Sequence, residues 1–380
     1  MTVPPRKRVA ILGVGMIGEV HRRAAVLAGA DLVGVMASSP ERSVQVAEQW
    51  GVAQAYASLD EVVASDVEVV HICTPNDSHV PYAVALMEAG KHVLCEKPLG
   101  VSLVDAQRAA AAAERTGMVN TIPFAYRFHP MAREMRAQVQ SEAFGAVNLM
   151  HGSYLQDWLL NPRSTSWRVD SKSGGPSRAF GDIGSHWCDL VEWVTGDRIA
   201  ELVSTTSITI PQRPVPGGTT MSLAGEGGPL IDVDTEDTAI IAFRTVKGVV
   251  GSAVISQLSA GRKNRLWLQV DGMQRSAAFD QENPEQLWIG AEESTTILLR
   301  DPNHGSPEQR RLSRLPAGHV QGYAQCFENY VADSYAAVDA HAGHGEVPQG
   351  LPTFADGARA ASICDAMLQS AASKRWVTVA

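Results

Sequence analysis

The chain reads Gly13-Val14-Gly15-Met16-Ile17-Gly18 at the point where its first apolar run ends and a helix-like segment begins. In a strand-turn-helix unit, Gly13 permits the tight turn, Gly15 lets the backbone approach a pyrophosphate, and Gly18 lets helix and strand pack closely. The N-terminus of the helix offers N–H groups to the anion. We therefore predict that a dinucleotide contacts Gly13, Gly15, Met16, Ile17 and Gly18. The alternatives are that the turn binds no ligand, or that it binds FAD or S-adenosylmethionine.

Short apolar runs alternate with helix-like segments around and after this turn. The Val/Ile-rich runs cover residues 8–12, 32–37, 67–73, 92–95 and 119–122, and the segments between them cover residues 17–28, 40–50, 78–89 and 102–116. Near-continuous apolar runs are typical of strands that are buried on both faces. The alternation predicts an α/β fold for residues 1–124, a Rossmann dinucleotide-binding domain with a doubly wound parallel sheet.

The remainder of the chain has a different pattern. Its extended runs cover residues 147–154, 200–210, 238–243, 249–258, 266–270 and 295–299, and its helix-like segments cover residues 130–140, 182–194, 320–338 and 354–372. Strands that follow one another with few helices between them indicate a mostly antiparallel sheet with one face covered. We predict an α+β domain over residues 125–380. Residues 211–229, rich in Gly and Pro, are predicted to form a long loop.

Composition excludes several classes of function. The chain has 380 residues, 45% of them hydrophobic, and a formal net charge of −9. Its basic residues are scattered, so we expect no nucleic-acid partner, and its apolar runs are too short for a membrane span. The five cysteines are widely spaced and form no C-x-x-C pair. This spacing argues against disulfides and structural zinc, and favours the cytoplasm.

The end of the second predicted strand bears on the choice between NAD and NADP. An acidic residue about 20 positions after the glycine turn normally binds the ribose 2′-hydroxyl of NAD, but Ala37 stands there. Ser38, Ser39 and Arg42 follow and are able to bond a 2′-phosphate, so the sequence slightly favours NADP. Alternatively, Ser39 only caps the next helix, Arg42 is solvated, and Glu41 turns inward to serve NAD.

Three further motifs follow the glycine turn. They read Cys73-Thr74-Pro75-Asn76-Asp77-Ser78-His79, Cys95-Glu96-Lys97-Pro98 and Gly181-Asp182-Ile183-Gly184-Ser185-His186-Trp187-Cys188-Asp189. Together with the glycine turn they resemble, in the same order, the motifs of the Gfo/Idh/MocA family, which includes glucose-fructose oxidoreductase and inositol dehydrogenase. The resemblance covers essentially the whole chain and is most specific in the Rossmann half.

The resemblance implies an NAD(P)-dependent dehydrogenase or reductase that acts on CH–OH groups of a sugar, glycoside or polyol. It also implies an open C-terminal sheet whose exposed face joins subunits into a dimer or tetramer. The implied cofactor contacts in the first two motifs are Thr74, Pro75, Asn76, His79 and Glu96. The residues implied to meet at the nicotinamide are Lys97, Asp182 and His186.

These three residues suit the oxidation of a secondary alcohol. His186 is a natural general base because imidazole normally titrates near neutral pH. Lys97 would donate a hydrogen bond to the substrate oxygen and stabilise a developing alkoxide. Asp182 precedes His186 by four positions, so a helix places both on one face, where Asp182 could orient Lys97, His186 or a substrate hydroxyl. The alternatives are a helix cap for Asp182, a packed core position for His186, a surface position for Lys97, and a metal site that adds Asp189, although we expect no metal.

Aromatic and planar polar residues precede the third motif and suit the binding of a sugar. The predicted substrate contacts there are Gln156, Trp158, Trp167 and Arg168, with Tyr126 and Arg127 just after the Rossmann half. Either tryptophan could instead anchor the loop in the core. Ala125 stands where a common form of the family carries Asn. Because the loop is mostly uncharged, we favour a neutral sugar, glycoside or polyol over a sugar acid.

Two other functions remain open at this stage. One is the reduction of a non-sugar carbonyl or an imine on the same scaffold, which would not need the pair of Lys97 and His186. The other is a non-catalytic dinucleotide-binding protein, against which the presence of that pair argues.

Overall fold

A computed structural model describes residues 6–215, 222–223 and 229–380. These residues pack into two compact units. The first unit contains the residues up to Pro123 together with Cys326–Arg359, and the second contains Phe124–Gln325 and Ala360–Ala380. The division into domains at residue 124 stays a prediction, and the packing adds a late segment of the chain to the first unit.

The first unit contains the predicted doubly wound parallel sheet. Its strands, in the spatial order β3-β2-β1-β4-β5-β6, are β1 (Arg8–Leu12), β2 (Asp31–Met36), β3 (Gln54–Tyr56), β4 (Val69–Ile72), β5 (His92–Cys95) and β6 (Asn120–Thr121). All neighbours are parallel. Strand β3 is not predicted from the sequence, because three residues carry too little pattern to be distinguished from a loop.

Five helices connect these strands. They are α1 (Met16–Leu27), α2 (Pro40–Trp50), α3 (Leu59–Ala64), α4 (Asn76–Glu88) and α5 (Leu103–Thr116). The side chains of Ser39, Ser58 and Ser102 accept a hydrogen bond from the first turn of their helices, as N-cap residues do. Gly51 and Gly117 end two of the helices in the left-handed conformation, which costs glycine little.

The second unit contains a nine-stranded mixed sheet. In the spatial order β18-β17-β16-β15-β7-β14-β13-β9-β19, its strands are β7 (Val147–Leu155), β9 (Ile199–Ser207), β13 (Thr238–Thr245), β14 (Val250–Ser256), β15 (Arg265–Gly272), β16 (Arg275–Asp280), β17 (Gln286–Ala291), β18 (Thr295–Leu299) and β19 (Val377–Thr378). All neighbours are antiparallel except β7 and β14, which are parallel. The predicted, mostly antiparallel sheet is confirmed.

Four short strands lie outside the large sheet, namely β8 (Ser164–Thr165), β10 (Gln212–Pro214), β11 (Ser222–Leu223) and β12 (Leu230–Asp232). Strands β10 and β12 pair with each other, and β11 pairs with β8. The prediction of one long loop over residues 211–229 was therefore wrong at residues 212–214 and 222–223. It failed because cross-strand pairing, which the local sequence does not reveal, supplies the hydrogen bonds of these strands. Residues 216–221 and 224–228 lie outside the described residues.

The α-helices that follow β6 complete the units. They are α6 (Pro130–Val139), α7 (Ser171–Gly174), α8 (Ser185–Thr195), α9 (Pro307–Leu312), α10 (Tyr323–His341) and α11 (Phe354–Ser373). Helix α8 packs against β7 and β15. Trp187 of this helix is fully buried and donates from Nε1 to the carbonyl of Trp267, 3.0 Å away. Gly152 makes room for that ring, since a Cβ there would lie 2.5 Å from Trp187 Nε1.

The large sheet has one buried face and one exposed face. Along β13, Ala239, Ile241 and Phe243 are buried, whereas Ile240 between them is 43% exposed. The period of two places the buried residues in the core that α8 covers. None of the helices in the described part of the chain has the length and apolarity that crossing a bilayer requires.

Candidate active site

The glycine turn of the first unit fits a dinucleotide. Gly13 has φ of +92°, and a Cβ on it would lie 2.3 Å from the carbonyl oxygen of Cys73. A Cβ on Gly18 would lie 2.1 Å from the carbonyl oxygen of Gly13. Both contacts are too short for any side chain, so the turn lies directly against the end of β4. This close packing of turn, helix and strand is what the glycine pattern predicts.

Two helix N-termini lie at the carboxyl ends of adjacent strands. Helix α1 begins at Met16, which is 58% exposed, and α4 begins at Asn76. They follow β1 and β4, which are neighbours in the sheet although β2 and β3 lie between them in sequence. The strand order reverses at this point, which is where sheets of this type bind ligands. The N-terminus of an α-helix favours anions, and the cofactor contacts of Met16, Ile17 and Asn76 stay a prediction.

The residues after β2 are mostly engaged within their own helix. Ser39 Oγ accepts from the N–H of Arg42 at 3.2 Å and caps α2. Arg42 is exposed and donates from Nη1 to Gln45 Oε1 at 3.3 Å. Ser38 is exposed, and the N–H of Ala37 donates to the hydroxyl of the buried Ser43. The arrangement matches the alternative in which Ser39 is a cap and Arg42 is solvated.

The Glu96-Lys97-Pro98 segment follows β5 and is held by two buried histidines. Glu96 Oε1 lies 3.0 Å from His21 Nε2, and Glu96 Oε2 accepts from the N–H of Lys97 at 3.2 Å. Burial raises the pKa of Glu96, but the hydrogen bond from His21 and the positive charge of Lys97 outweigh it and hold the pKa below its usual value. Glu96 is therefore an anion although it is only 6% exposed.

His79 connects Thr74 of its own motif to Pro98 of this segment. Its Nδ1 lies 2.8 Å from the carbonyl of Pro98, and its Nε2 lies 2.8 Å from the carbonyl of Thr74. Thr74 Oγ1 also accepts from Ser78 at 2.6 Å. His79 thus connects the two chain segments that flank the predicted cofactor position, and it is itself 1% exposed.

In the second unit, Asp182 lies in a π-helical turn, Phe180–Gly184, that leads into α8. Such turns are rare and frequently mark functional sites. Gln257 Nε2 donates to Asp182 Oδ2 at 3.1 Å, and Arg168 Nε lies 3.4 Å from Asp182 Oδ1. The N-cap position of this turn is Ala179, so Asp182 is not the helix cap considered above.

His186, one turn after Asp182, is surrounded by aromatic rings of the second unit. It is 7% exposed, and its ring contacts Tyr126 edge to face with centroids 5.0 Å apart. Phe124 and Tyr154 lie at 5.7 Å and 6.3 Å from it. Asp182 and His186 therefore lie on one continuous helical segment, as the spacing predicts.

Uncharged hydrogen-bonding groups extend from these rings to the predicted substrate loop. Burial raises the pKa of the Tyr154 hydroxyl well above its usual value, so Tyr154 is protonated and donates to Asn264 Oδ1 at 2.7 Å. Asn264 Nδ2 donates to the Tyr126 hydroxyl at 3.1 Å, and the two tyrosine hydroxyls bond to each other. Gln156 Nε2 also donates to Asn264 Oδ1, and Trp158 Nε1 donates to Gln156 Oε1. We call these five residues the polar-aromatic network.

The remaining predicted substrate residues divide into two groups. Trp167 is partly exposed, as is Trp158, and the guanidinium of Arg168 lies 4.5 Å from the Trp167 ring centroid. Neither tryptophan is a fully buried anchor. Arg127, in contrast, is 6% exposed, forms an ion pair with Asp189 and lies against Trp193.

Two residues of this site were missed by the sequence analysis. Gln257 is fully buried and contacts Asp182, and Asn264 connects the two tyrosines to Gln156. The signal for Gln257 is a polar residue within the predicted apolar run 249–258. Asn264 lies in a turn between strands and has no comparable signal. Lys97 belongs to the first unit and His186 to the second, and their action on one substrate stays a prediction.

Metal ligation has no support in the residues that the structure describes. They contain no group of three or more His, Cys, Asp or Glu that could hold a metal ion. Within the second unit, Asp189, considered above as a third metal ligand, is paired with Arg127.

Comparisons with known proteins agree with this architecture. Residues 7–124 match an oxidoreductase family with an NAD-binding Rossmann fold, and residues 132–278 match the GFO/IDH/MocA C-terminal domain. The chain belongs to the Gfo/Idh/MocA family. This family member is 30% identical over 353 residues to levoglucosan dehydrogenase of Pseudarthrobacter phenanthrenivorans, covering 90% of this chain and 88% of that protein. It is 24% identical to inositol 2-dehydrogenase of Rhizobium meliloti, covering 98% and 99% of the two chains.

Solved structures of the family share the fold. Levoglucosan dehydrogenase in complex with NADH and levoglucosan matches with a TM-score of 0.87 and 27% identity, covering 99% of this chain and all of that chain. An inositol dehydrogenase homolog from Azotobacter vinelandii, complexed with NAD+, matches with a TM-score of 0.86 and 25% identity, covering 98% and 97%. The predicted family and fold are confirmed, and this Gfo/Idh/MocA protein is an NAD(P)-dependent oxidoreductase.

Proposed function

We propose that this oxidoreductase transfers a hydride between a nicotinamide and a secondary alcohol or ketone of a neutral sugar, glycoside or polyol. The observation that carries the proposal is the polar-aromatic network, which supplies amide, phenol and indole groups beside His186. Hydroxyl groups of a sugar donate and accept hydrogen bonds. Amide, phenol and indole groups can bond to them without requiring a charge on the substrate.

The proposed roles of the catalytic residues follow from proton transfer at a carbinol. His186 takes the proton from the reacting hydroxyl in oxidation and returns it in reduction. Lys97 donates a hydrogen bond to the same oxygen and stabilises its developing negative charge. Asp182, held by Gln257 and Arg168, orients the reacting group. When bound along the glycine turn and the 74–79 segment, the nicotinamide cofactor accepts or supplies the hydride.

The charge balance of the second unit supports a neutral substrate. Arg168 is the basic residue of the predicted substrate loop that would favour a sugar acid, but it pairs with Asp182 and stacks on Trp167. Arg127 is paired with Asp189, so we leave it out of the proposed contacts. The proposed substrate contacts are Tyr126, Gln156, Trp158 and Trp167. Levoglucosan dehydrogenase, at 30% identity, suggests an anhydrosugar as the first compound to assay.

A substrate panel tests the proposed reaction. Levoglucosan, methyl glucosides, myo-inositol and glucuronate would each be assayed with NAD and with NADP by the absorbance of the reduced cofactor. We expect turnover with at least one neutral compound and kcat/KM at least about tenfold lower for the acid, the size of one unsatisfied polar contact. Turnover confined to sugar acids, or to imines and non-sugar ketones, would contradict the proposal.

For the cofactor we propose NAD. The sequence slightly favours NADP, but Ser39 is the cap of α2 and Arg42 lies against Gln45. Two of the three groups expected to bond a 2′-phosphate are thus engaged within the helix. Glu41 is exposed in the first turn of α2, and hydrogen bonds from its own backbone N–H and from Ser39 lower its pKa. It therefore carries a negative charge, which repels the 2′-phosphate of NADP.

The Arg42→Ala variant checks this choice of cofactor. We expect wild-type protein to have a higher kcat/KM with NAD than with NADP, and we expect the variant to change that ratio by less than about twofold, as for an exposed charge. Arg23→Ala, an exposed arginine on α1, serves as the matched control. A wild-type preference for NADP that Arg42→Ala abolishes would restore the interpretation of Arg42 as a phosphate ligand.

The exposed face of the large sheet is proposed as the contact between subunits. Ile240 and Val254 lie opposite each other on β13 and β14 and are 43% and 39% exposed. Their neighbours on that face include Leu149 and Val250, which are also exposed. Apolar groups clustered on one sheet face are typical of a protein interface.

Light scattering after size-exclusion chromatography checks the proposed oligomer. We expect a homodimer or homotetramer for the wild type and a smaller species for Val254→Lys, because a charge would be buried without a partner. Thr205 is exposed and lies on the same face at β9. The Thr205→Lys variant tests whether one added charge anywhere on the face is enough to dissociate the oligomer. A monomeric wild type would contradict the proposal.

We also propose a cytoplasmic location. All five cysteines are free thiols, and four of them are buried. Proteins of reducing compartments retain such thiols. Fractionation of cells that produce the protein, followed by detection with an antibody, would check the location.

A further inference from the structure

A chain of buried hydrogen bonds runs through the first unit and ends at Glu96. Tyr335 of α10 lies 2.9 Å from His71 Nε2, and His71 Nδ1 lies 2.9 Å from His21 Nδ1. His21 Nε2 in turn lies 3.0 Å from Glu96 Oε1. The four residues are exposed by 4%, 0%, 0% and 6% in that order. No step of the mechanism above uses Tyr335, His71 or His21.

The protons in this series of hydrogen bonds have one arrangement that gives every donor an acceptor. Glu96 is a carboxylate and only accepts, so His21 must carry its proton on Nε2. A neutral His21 then has a bare Nδ1, and His71 must donate to it from Nδ1. The bare Nε2 of His71 consequently accepts from the Tyr335 hydroxyl. Burial lowers the pKa of His71 well below its ordinary value, in agreement with a neutral ring.

The reverse direction leaves a buried proton without an acceptor. It requires a charged His21, which would donate to His71 Nδ1, so that His71 donates from Nε2 to the Tyr335 oxygen. Among the described residues, the Tyr335 hydroxyl has no hydrogen-bond partner other than His71, so its own proton would be unsatisfied. An unsatisfied buried donor is costly, and this cost decides the direction toward Glu96.

The series of hydrogen bonds from Tyr335 to Glu96 ends beside Lys97. Glu96 presents one carboxylate oxygen to His21 and the other to the N–H of Lys97, 3.2 Å away. His21 fixes the orientation of the Glu96 carboxylate. That orientation in turn fixes the backbone at Lys97. We propose that Tyr335, His71 and His21 are positioning residues, which form a one-directional hydrogen-bond relay that holds Glu96 and thereby orients Lys97. This inference rests on the role proposed above for Lys97.

The relay makes a prediction about tautomers that does not depend on turnover. In the full-length protein labelled with 15N-histidine, we expect His21 to be the Nε2–H tautomer and His71 to be the Nδ1–H tautomer. The Nε2–H form is the commoner one for imidazole in water, so the result for His71 is distinctive. His21→Gln and His71→Gln assign the two sets of signals. A charged His21 or an Nε2–H tautomer at His71 would overturn the proposed direction.

Tyr335→Phe tests the link to catalysis, with Tyr330→Phe as a matched control. Both tyrosines belong to α10 and are buried, and Tyr330 bonds to Thr121 instead of the relay. We expect both variants to lose similar thermal stability. Only Tyr335→Phe should release the tautomer of His71 and lower kcat, by roughly fivefold for the loss of one oriented hydrogen bond, with KM for cofactor unchanged.

Variants at His21 separate local support from the relay. The amide of His21→Gln can still donate to Glu96 but has lost the bond to His71, whereas His21→Leu has lost both. We expect kcat to fall in the order wild type, His21→Gln, His21→Leu. Equal kcat in Tyr335→Phe and Tyr330→Phe, or full activity of His21→Leu, would overturn the positioning role. Full activity of a Lys97 variant would instead refute the proposed function and leave the tautomer result standing.

Discussion

Replacing Lys97 by Met is expected to lower kcat by about a thousandfold, or roughly 4 kcal/mol of transition-state stabilisation. Met keeps the length of the side chain and removes the ammonium group, so the loss measures the charge and its hydrogen bond to the reacting oxygen. The glycine turn and the helix N-termini are unchanged, so the Kd for NADH should stay within about threefold. Fluorescence titration with NADH and steady-state kinetics measure the two quantities.

Lys91 provides the matched control for this variant. It is 5% exposed, lies just before β5 whereas Lys97 lies just after it, and donates from Nζ to the carbonyls of Ser65 and Val67. Lys91→Met should therefore lower the melting temperature and leave kcat of the folded protein unchanged. If Lys97→Met retains wild-type turnover, or if both variants lose activity in proportion to stability, Lys97 has no catalytic role.

Replacing His186 by Asn is expected to lower kcat by about a hundredfold to ten-thousandfold, the range of general acid–base catalysis. Asn removes the imidazole ring and retains a polar side chain among Phe124, Tyr126 and Tyr154. The pH dependence of kcat should also weaken, because the proton acceptor of the reacting hydroxyl is lost. Measurements of kcat from about pH 6 to 10 for the wild type and the variant would show both effects.

His151→Asn is the control for the histidine. His151 lies on β7 in the same unit, is partly exposed and has Nε2 3.5 Å from Asp271 Oδ2. We expect this variant to keep the wild-type pH profile. A His186→Asn variant that keeps both kcat and the pH profile would return His186 to the alternative of an ordinary packed residue, and the acid–base role would need another group.

The Rossmann half shows how far local pattern reaches. Strands β1 and β5 begin and end where the apolar runs predict, because strands buried on both faces need continuous apolar sequence. The glycine turn is explained by its contacts with Cys73 just after β4 and by those within the turn itself, at distances that exclude any Cβ. Short elements such as β3 and α3 were missed, since three to six residues hold less than two periods of any pattern.

The candidate site was predicted unevenly. Asp182 and His186 are close in sequence, so their shared helical segment follows from spacing alone. Gln257 contacts Asp182 across 75 positions, and Asn264 contacts Tyr126 across 138. Ser39 and Arg42 suit a 2′-phosphate by residue type, but residue type alone does not reveal the partners that they have in the structure, a helix N–H and Gln45.

By itself, the sequence determined the family, the parallel sheet, the glycine turn and the residues of the motifs, because each of these is encoded in short stretches whose chemistry is local. Only the tertiary structure decided which side chains meet. His71 and Tyr335 are 264 positions apart, and Arg127 and its partner Asp189 are 62 positions apart. Such partners depend on how distant strands and helices pack, and the burial that gives each contact its strength exists only after folding.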